Sequence, residues 1–273
     1  DIIVKYKKMK IFYLLILCFY LVSYKSQDYG RHIELSLLFY ECQRSGPLPK
    51  TNRIYWRHDS MLDAVKGVGL DLTGGYYDAG DNIKKADQFK YLLDTVKWGT
   101  DYFIKCHSGK DELYIGVGTG NVDHSFWVPP EYIQYEYKSY KVDAKNPGSE
   151  VAAETAAALA AASILFKSED STYSATLLKH AIEIYDFADT YRGDYHKSEP
   201  TVQGYYSSYN GYVDELAWGA AWLLRATGDE KYLEKYKEIG DKEYSPYDPY
   251  AFGYCKGPIS WETWSLCINR TSN

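Results

Sequence analysis

Apolar positions recur at helical spacing through most of the chain. Phe89, Leu92, Leu93, Val96, Thr100, Phe103 and Ile104 fall at i, i+3 and i+4, the pattern of a helix that buries one stripe. Residues 151–166 differ in kind. Eight alanines leave no polar stripe, so they predict a helix buried on most sides that approaches its neighbours closely. Ser149 and Asn146 are its candidate caps. Tyr173, Leu177, Leu178, Ala181, Ile184, Tyr185 and Ala188 mark another helix. Residues 214–227 read as helix, Gly228 as a break, and residues 231–239 as helix again. No stretch predicts a strand. Helices in pairs, with no internal repeat, predict one all-α domain built as a toroid of hairpins.

The polar stretches between the helices are long and aromatic. Residues 109–149 hold several glycines, Pro129, Pro130 and Pro147, and a connection of that length is usually functional. A second loop, residues 193–212, is rich in Tyr and Ser. The chain has 30 Tyr against 9 Phe. Such an excess suits half-wet clefts and carbohydrate platforms, although part of it will serve the core.

Near the start, Met9 and Lys10 precede an apolar run over residues 11–22, followed by Ser23 and other small or polar residues. That order predicts a secretory signal peptide over residues 9–27, with residues 1–8 as upstream sequence. The run is too short to span a bilayer as a helix, and no later segment reads as a membrane span, so no anchor is expected. Losing residues 1–27 removes five Lys and one Asp, four net positive charges, and moves the net charge from −6 to about −10. An acidic chain does not hold nucleic acid well, whereas neutral polysaccharide is a compatible partner. Cys42, Cys106, Cys255 and Cys267 would remain in a disulfide-permitting compartment, and three pairings stay open. Asn269-Arg270-Thr271 is a glycosylation sequon.

The densest chemistry lies in GGYYDAGD, residues 74–81. Glycines permit close backbone approach, tyrosines offer flat faces, and Asp78 and Asp81 can hold and deprotonate a water. An Asx turn or helix cap uses the same residues for backbone reasons alone.

This motif and several others, in order, resemble glycoside hydrolase family 9, the endoglucanases or cellulases. They are Asp28-Tyr29-Gly30 with SLLFYECQRSGPLP (36–49), DLTGGYYDAGD (71–81) and KWGTDYFIKCH (97–107). Gly118, Asp123-His124, Trp127 and Pro130-Glu131 follow, then DAKNPGSEVAAETAAALAAAS (143–163). YDFADTYRGDY (185–195) and YYSSYNGYVDELAWGAAWLLRATGD (205–229) complete the set.

The resemblance implies an (α/α)6 barrel that hydrolyses β-1,4-glucan with inversion. Asp81 matches the general base, and Asp78 the residue that helps hold the nucleophilic water. His124 and Trp127 match cleft positions, Tyr206 and Tyr209 match aromatic sugar contacts, and Trp261 matches a further one. Asp71 and Glu154 are read as structural. Asn210, Gly211, Asp214 and Glu215 match a place where some members hold Ca²⁺, although Asp214 and Glu215 also suit a helix start on electrostatic grounds. No cofactor is required, and a secreted monomer is expected.

Two departures predict an incomplete member. Only residues 82–96 separate DAGD from KWGTDYF, where the family has several tens of residues, and neither the family's later histidine/arginine motif nor its catalytic Glu is found. The alternatives are an inactive homologue that only binds glucan through its aromatic residues, and a related toroid hydrolase acting on another polymer. Retention of both Asp78 and Asp81 favours hydrolysis over binding alone.

Overall fold

The computed structural model describes residues 29–62, 69–77, 89–118, 120–123, 125, 129–132, 138–203, 207–208 and 211–243. Six helices carry the architecture: α1 (Tyr29–Cys42), α2 (Phe89–Cys106), α3 (Ser149–Phe166), α4 (Ser171–Thr190), α5 (Val213–Thr227) and α6 (Glu230–Glu243). One antiparallel pair, β1 (Glu112–Val117) and β2 (Ser139–Asp143), joins α2 to α3 with a bulge between Tyr114 and Gly116.

Helix α3 is the hub of the C-terminal half. Ala152, Ala153, Ala156, Ala157 and Ala160 are buried, so α4 and α5 pack on it at short range. Gly219 of α5 sits at a close crossing. A Cβ there would stand 2.8 Å from the Tyr185 ring and 3.2 Å from the Ala153 carbonyl. The Tyr185 hydroxyl completes the contact by donating to the Leu216 carbonyl at 3.0 Å. Leu159, Leu177, Ile184, Leu216, Leu223, Tyr232 and Ile239 fill the same core. Gly228 ends α5 at φ +70°, a left-handed cap that glycine takes without penalty. Asp170 caps α4 by accepting from the Tyr173 N–H at 2.9 Å.

Several expectations are corrected. Neither Ser149 nor Asn146 caps α3. The N-cap is Gly148, where a Cβ would meet Val142 at 2.6 Å. The Ser149 hydroxyl instead donates to the Ala188 carbonyl at 2.8 Å, and Asn146 closes a turn on the Asp143 carboxylate. Helix α1 and the β1–β2 hairpin were not expected. Helix α3 is long and apolar enough to cross a membrane by length and composition, contrary to the sequence reading, but most of it is buried in the protein core. Cys42 and Cys106 are both free thiols, while the signal segment, Cys255, Cys267 and the sequon lie outside the described residues.

Candidate active site

The segment leading into DAGD is held from two sides. On the α1 side, Tyr77 N–H donates to the Gln43 carbonyl at 2.7 Å, and Ser45 N–H donates to the Gly75 carbonyl at 3.0 Å. On the α2 side, Trp98 Nε1 donates to that same carbonyl at 2.7 Å, and the Tyr76 hydroxyl donates to the Thr95 carbonyl at 2.7 Å. Gly75 lies flat on Tyr102. A Cβ there would meet the ring at 2.8 Å, and φ of +72° favours glycine independently. Gly75 therefore lets the chain press onto α2.

Asp71 closes the start of this segment. Its carboxylate accepts from the Thr73 N–H and hydroxyl and pairs with Lys105 at 2.8 Å. The hydrogen bonds from Lys105 and Thr73 hold its carboxyl down at about 2. These contacts fit the structural role read from the sequence.

Arg57 joins this segment to a second one. It is almost fully buried, and its guanidinium stands 5.8 Å from the Tyr77 ring centre. It donates to the carbonyls of Cys42 and Arg44 and pairs with Glu131 at 2.6 Å. The Glu131 carboxylate also accepts from the His58 N–H at 3.2 Å. One cation thus fixes both the residue before Asp78 and the short 3₁₀ turn Pro130–Tyr132. Neither Arg57 nor Trp98 stood out in the sequence, because their partners are distant along the chain.

Asp78, Asp81, His124, Trp127, Tyr206, Tyr209, Asn210 and Trp261 lie outside the described residues. Gly211, Asp214 and Glu215 lie within them. Gly211 has φ +82°, and its carbonyl accepts from the Ser208 hydroxyl at 2.6 Å. Asp214 and Glu215 occupy the first turn of α5, and Glu215 Oε2 is buried with no hydrogen-bond partner among the described residues. Burial first, then Asp214 and Glu154, push the Glu215 carboxyl well above its ordinary range. Glu154 faces outward from α3 rather than into the helix packing. With Glu150, Glu215, Tyr102 and Tyr114 it lines a cavity of ≈ 360 Å³ between α2, β1, α3 and α5.

The sequence model of glycosyl hydrolase family 9 matches residues 29–87 and 84–269, and the chain belongs to this family. Endoglucanase 4 of Bacillus sp. (strain KSM-522) is 46% identical over 232 residues, 76% of this chain and 36% of that protein. The endoglucanase of the termite Nasutitermes takasagoensis superimposes with a TM-score of 0.74 at 43% identity, over 81% of this chain and 57% of its own. The cellulase Cel9M of C. cellulolyticum in complex with cellobiose gives 0.72 at 31% identity, over 80% of this chain and 55% of its own. The described helices are thus part of an (α/α)6 barrel, and the chain spans little more than a third of the bacillar relative's length. The two family matches meet at residues 84–87, within the interval that the sequence reads as shortened.

Proposed function

We propose that this chain carries the water-activating part of a secreted endo-β-1,4-glucanase that cleaves cellulose-type β-1,4-glucan with inversion. Asp81 is the general base, and Asp78 helps hold the attacking water. Inversion needs a base carboxylate and an acid carboxyl roughly 6.5–9.5 Å apart, with the water on the base side of the sugar. Two neighbouring carboxylates raise one another's proton affinity, so one can accept the proton of a water that both orient. His124, Trp127, Tyr206, Tyr209 and Trp261 contact the sugar rings by hydrogen bonding and stacking. The proton donor for the leaving oxygen is a Glu in a part of the fold that the matching motifs do not include. The protein works as a monomer.

The observation that carries this reading is the double anchoring of residues 75–77, where Gly75, Tyr76 and Tyr77 are each tied to α2 or to the residues after α1 just before Asp78. Positioning of this kind is what a base needs, since a misplacement of about 1 Å costs on the order of 100-fold in rate. The termite and bacterial relatives, named as endoglucanases and a cellulase, support the substrate class. The test is Asp81→Asn in the full-length protein. Release of reducing ends from carboxymethyl cellulose is expected to fall by at least about 10²-fold with the circular dichroism spectrum unchanged. Turnover near the wild-type rate contradicts the assignment.

The residues at the start of α5 fit a calcium ion. A buried carboxylate oxygen without a partner, a second carboxylate beside it and a backbone carbonyl are the donors a hard cation takes. Asp214, Glu215, the Gly211 carbonyl and Asn210 would hold it, and it would neutralise the crowded acids and fix the loop before α5. Millimolar Ca²⁺ added after chelation is expected to raise the melting temperature, and Glu215→Gln to abolish that rise. A melting temperature indifferent to Ca²⁺ contradicts the site.

A further inference from the structure

We propose that His107, His180 and Glu183 bind one divalent transition metal ion of the Zn²⁺ type, using none of the residues assigned above to glucan cleavage. His107 directly follows α2, while His180 and Glu183 stand one turn apart on the same face of α4. The Nδ1 atoms of the two histidines are 2.8 Å apart, and a potential ligand atom of each of the three side chains lies within 4.8 Å of the other two. The two imidazoles meet edge to face, with ring centres 5.0 Å apart. Two metal–nitrogen bonds of about 2.0–2.1 Å in a tetrahedral site place the nitrogens roughly 3.3 Å apart, so a small opening of the pair admits the ion.

The polar groups here are poorly served without it. Whichever histidine nitrogen carries the shared proton, Nε2 of His107 is buried without a well-formed hydrogen bond, the Gly109 and Lys110 backbone being near but poorly aligned. The Lys179 ammonium stands 3.9 Å from the Glu183 carboxylate, at the edge of ion-pair distance. Burial lowers both imidazoles below their ordinary value, which keeps them neutral and able to ligate at neutral pH. Two imidazoles and one carboxylate suit a borderline ion far better than Ca²⁺. All three side chains are only partly buried, so water can supply the fourth ligand.

Cys106 is not part of this cluster, because it lines the ≈ 360 Å³ cavity beside Tyr102 instead. None of the three ligands lines the ≈ 360 Å³ cavity or a second cavity of ≈ 240 Å³ between α4 and α6. Because the ligands come from the end of α2 and from α4, the ion acts as a staple between the two helices. It ties α2 to α4 beyond the polar link in which Tyr173 meets Thr100 and Asp101, both at 2.7 Å.

The test uses the full-length protein stripped of metal and kept in excess Ca²⁺, so that the acidic site at α5 does not compete. Titration with Zn²⁺ alone is expected to show one tight equivalent, and Co²⁺ in its place the intense visible bands of a four-coordinate ion. His180→Ala should remove that equivalent, and Glu183→Gln should weaken it by about 10–100-fold. Glu183→Gln is a mild change on a helix surface and keeps the test decisive if His180→Ala does not fold. No stoichiometric Zn²⁺ uptake by the wild type, or uptake unchanged in the variants that fold, overturns the site and leaves an ordinary hydrogen bond between two neutral histidines.

Discussion

The two halves of this chain are held together by different physics. In α3 to α6 the contacts are apolar and close, with alanines and a glycine letting helix backbones approach and Leu, Ile and Tyr side chains filling the remainder. Residues 29–77 are held by buried polar groups instead. Glu41 is 2% exposed and accepts from Arg53, Arg57 is 8% exposed and serves Glu131 and two carbonyls, and Trp98 donates across to Gly75. A packed core tolerates small repacking, whereas a buried charge that loses its partner has nothing to replace it. The region that leads into Asp78 and Asp81, the proposed water-activating pair, is the one whose geometry is specified by hydrogen bonds.

Arg57→Ala should break the polar half most severely. It leaves Glu131 without its cation and frees two backbone carbonyls, at an expected cost of about 3–5 kcal/mol in chemical denaturation. Arg57→Lys should recover only part of that loss, because an ammonium cannot reproduce the forked contacts. A loss below about 1 kcal/mol would show that Arg57 is not the junction described here. In the apolar half, Gly219→Ala should cost about 1–3 kcal/mol, since its Cβ meets the Tyr185 ring at 2.8 Å. The two sites should differ in salt response, with Arg57→Ala altering the salt dependence of stability and Gly219→Ala leaving it unchanged.

The third variant is a buried acid at the start of α3, in the apolar half. Glu150 is 4% exposed, accepts from the Tyr195 N–H at 2.9 Å, and leaves Oε2 without a partner among the described residues. Burial pushes its carboxyl up to about 7. The folded state therefore holds this proton more tightly than the unfolded chain does. The resulting stability is full below the ordinary carboxyl value and is lost as pH rises through about 7. Glu150→Gln keeps an acceptor for Tyr195 and should leave stability near pH 4 unchanged, while adding about 1–2 kcal/mol above pH 7. Equal effects at both pH values would remove the titration argument.

The apolar half was legible in the sequence for a physical reason. Its helices bury stripes at local spacing, so Leu177, Ala181, Ile184 and Ala188 announce α4 before any tertiary contact is known. Helix α1 gave no such signal, because Ile33 and Leu37 are buried while Leu35 and Phe39 on the same helix stay exposed. The hairpin was hidden because β2 follows β1 by more than twenty residues and the register slips at Gly116. The reactive motif was visible as a string of residue types, since glycine, tyrosine and aspartate each carry their chemistry locally. Its anchoring was not, because Arg57 and Glu131 are 74 residues apart and neither is unusual alone.

Proton NMR of the first sugar released from a reduced cello-oligosaccharide, by the full-length protein and by its Asp81→Asn variant, puts the water-activation claim to its most direct test. The wild type should release the α-anomer before mutarotation, and the variant should release almost nothing. Initial β-anomer from the wild type, or α-anomer at an unchanged rate from the variant, would contradict a water steered by Asp78 and deprotonated by Asp81.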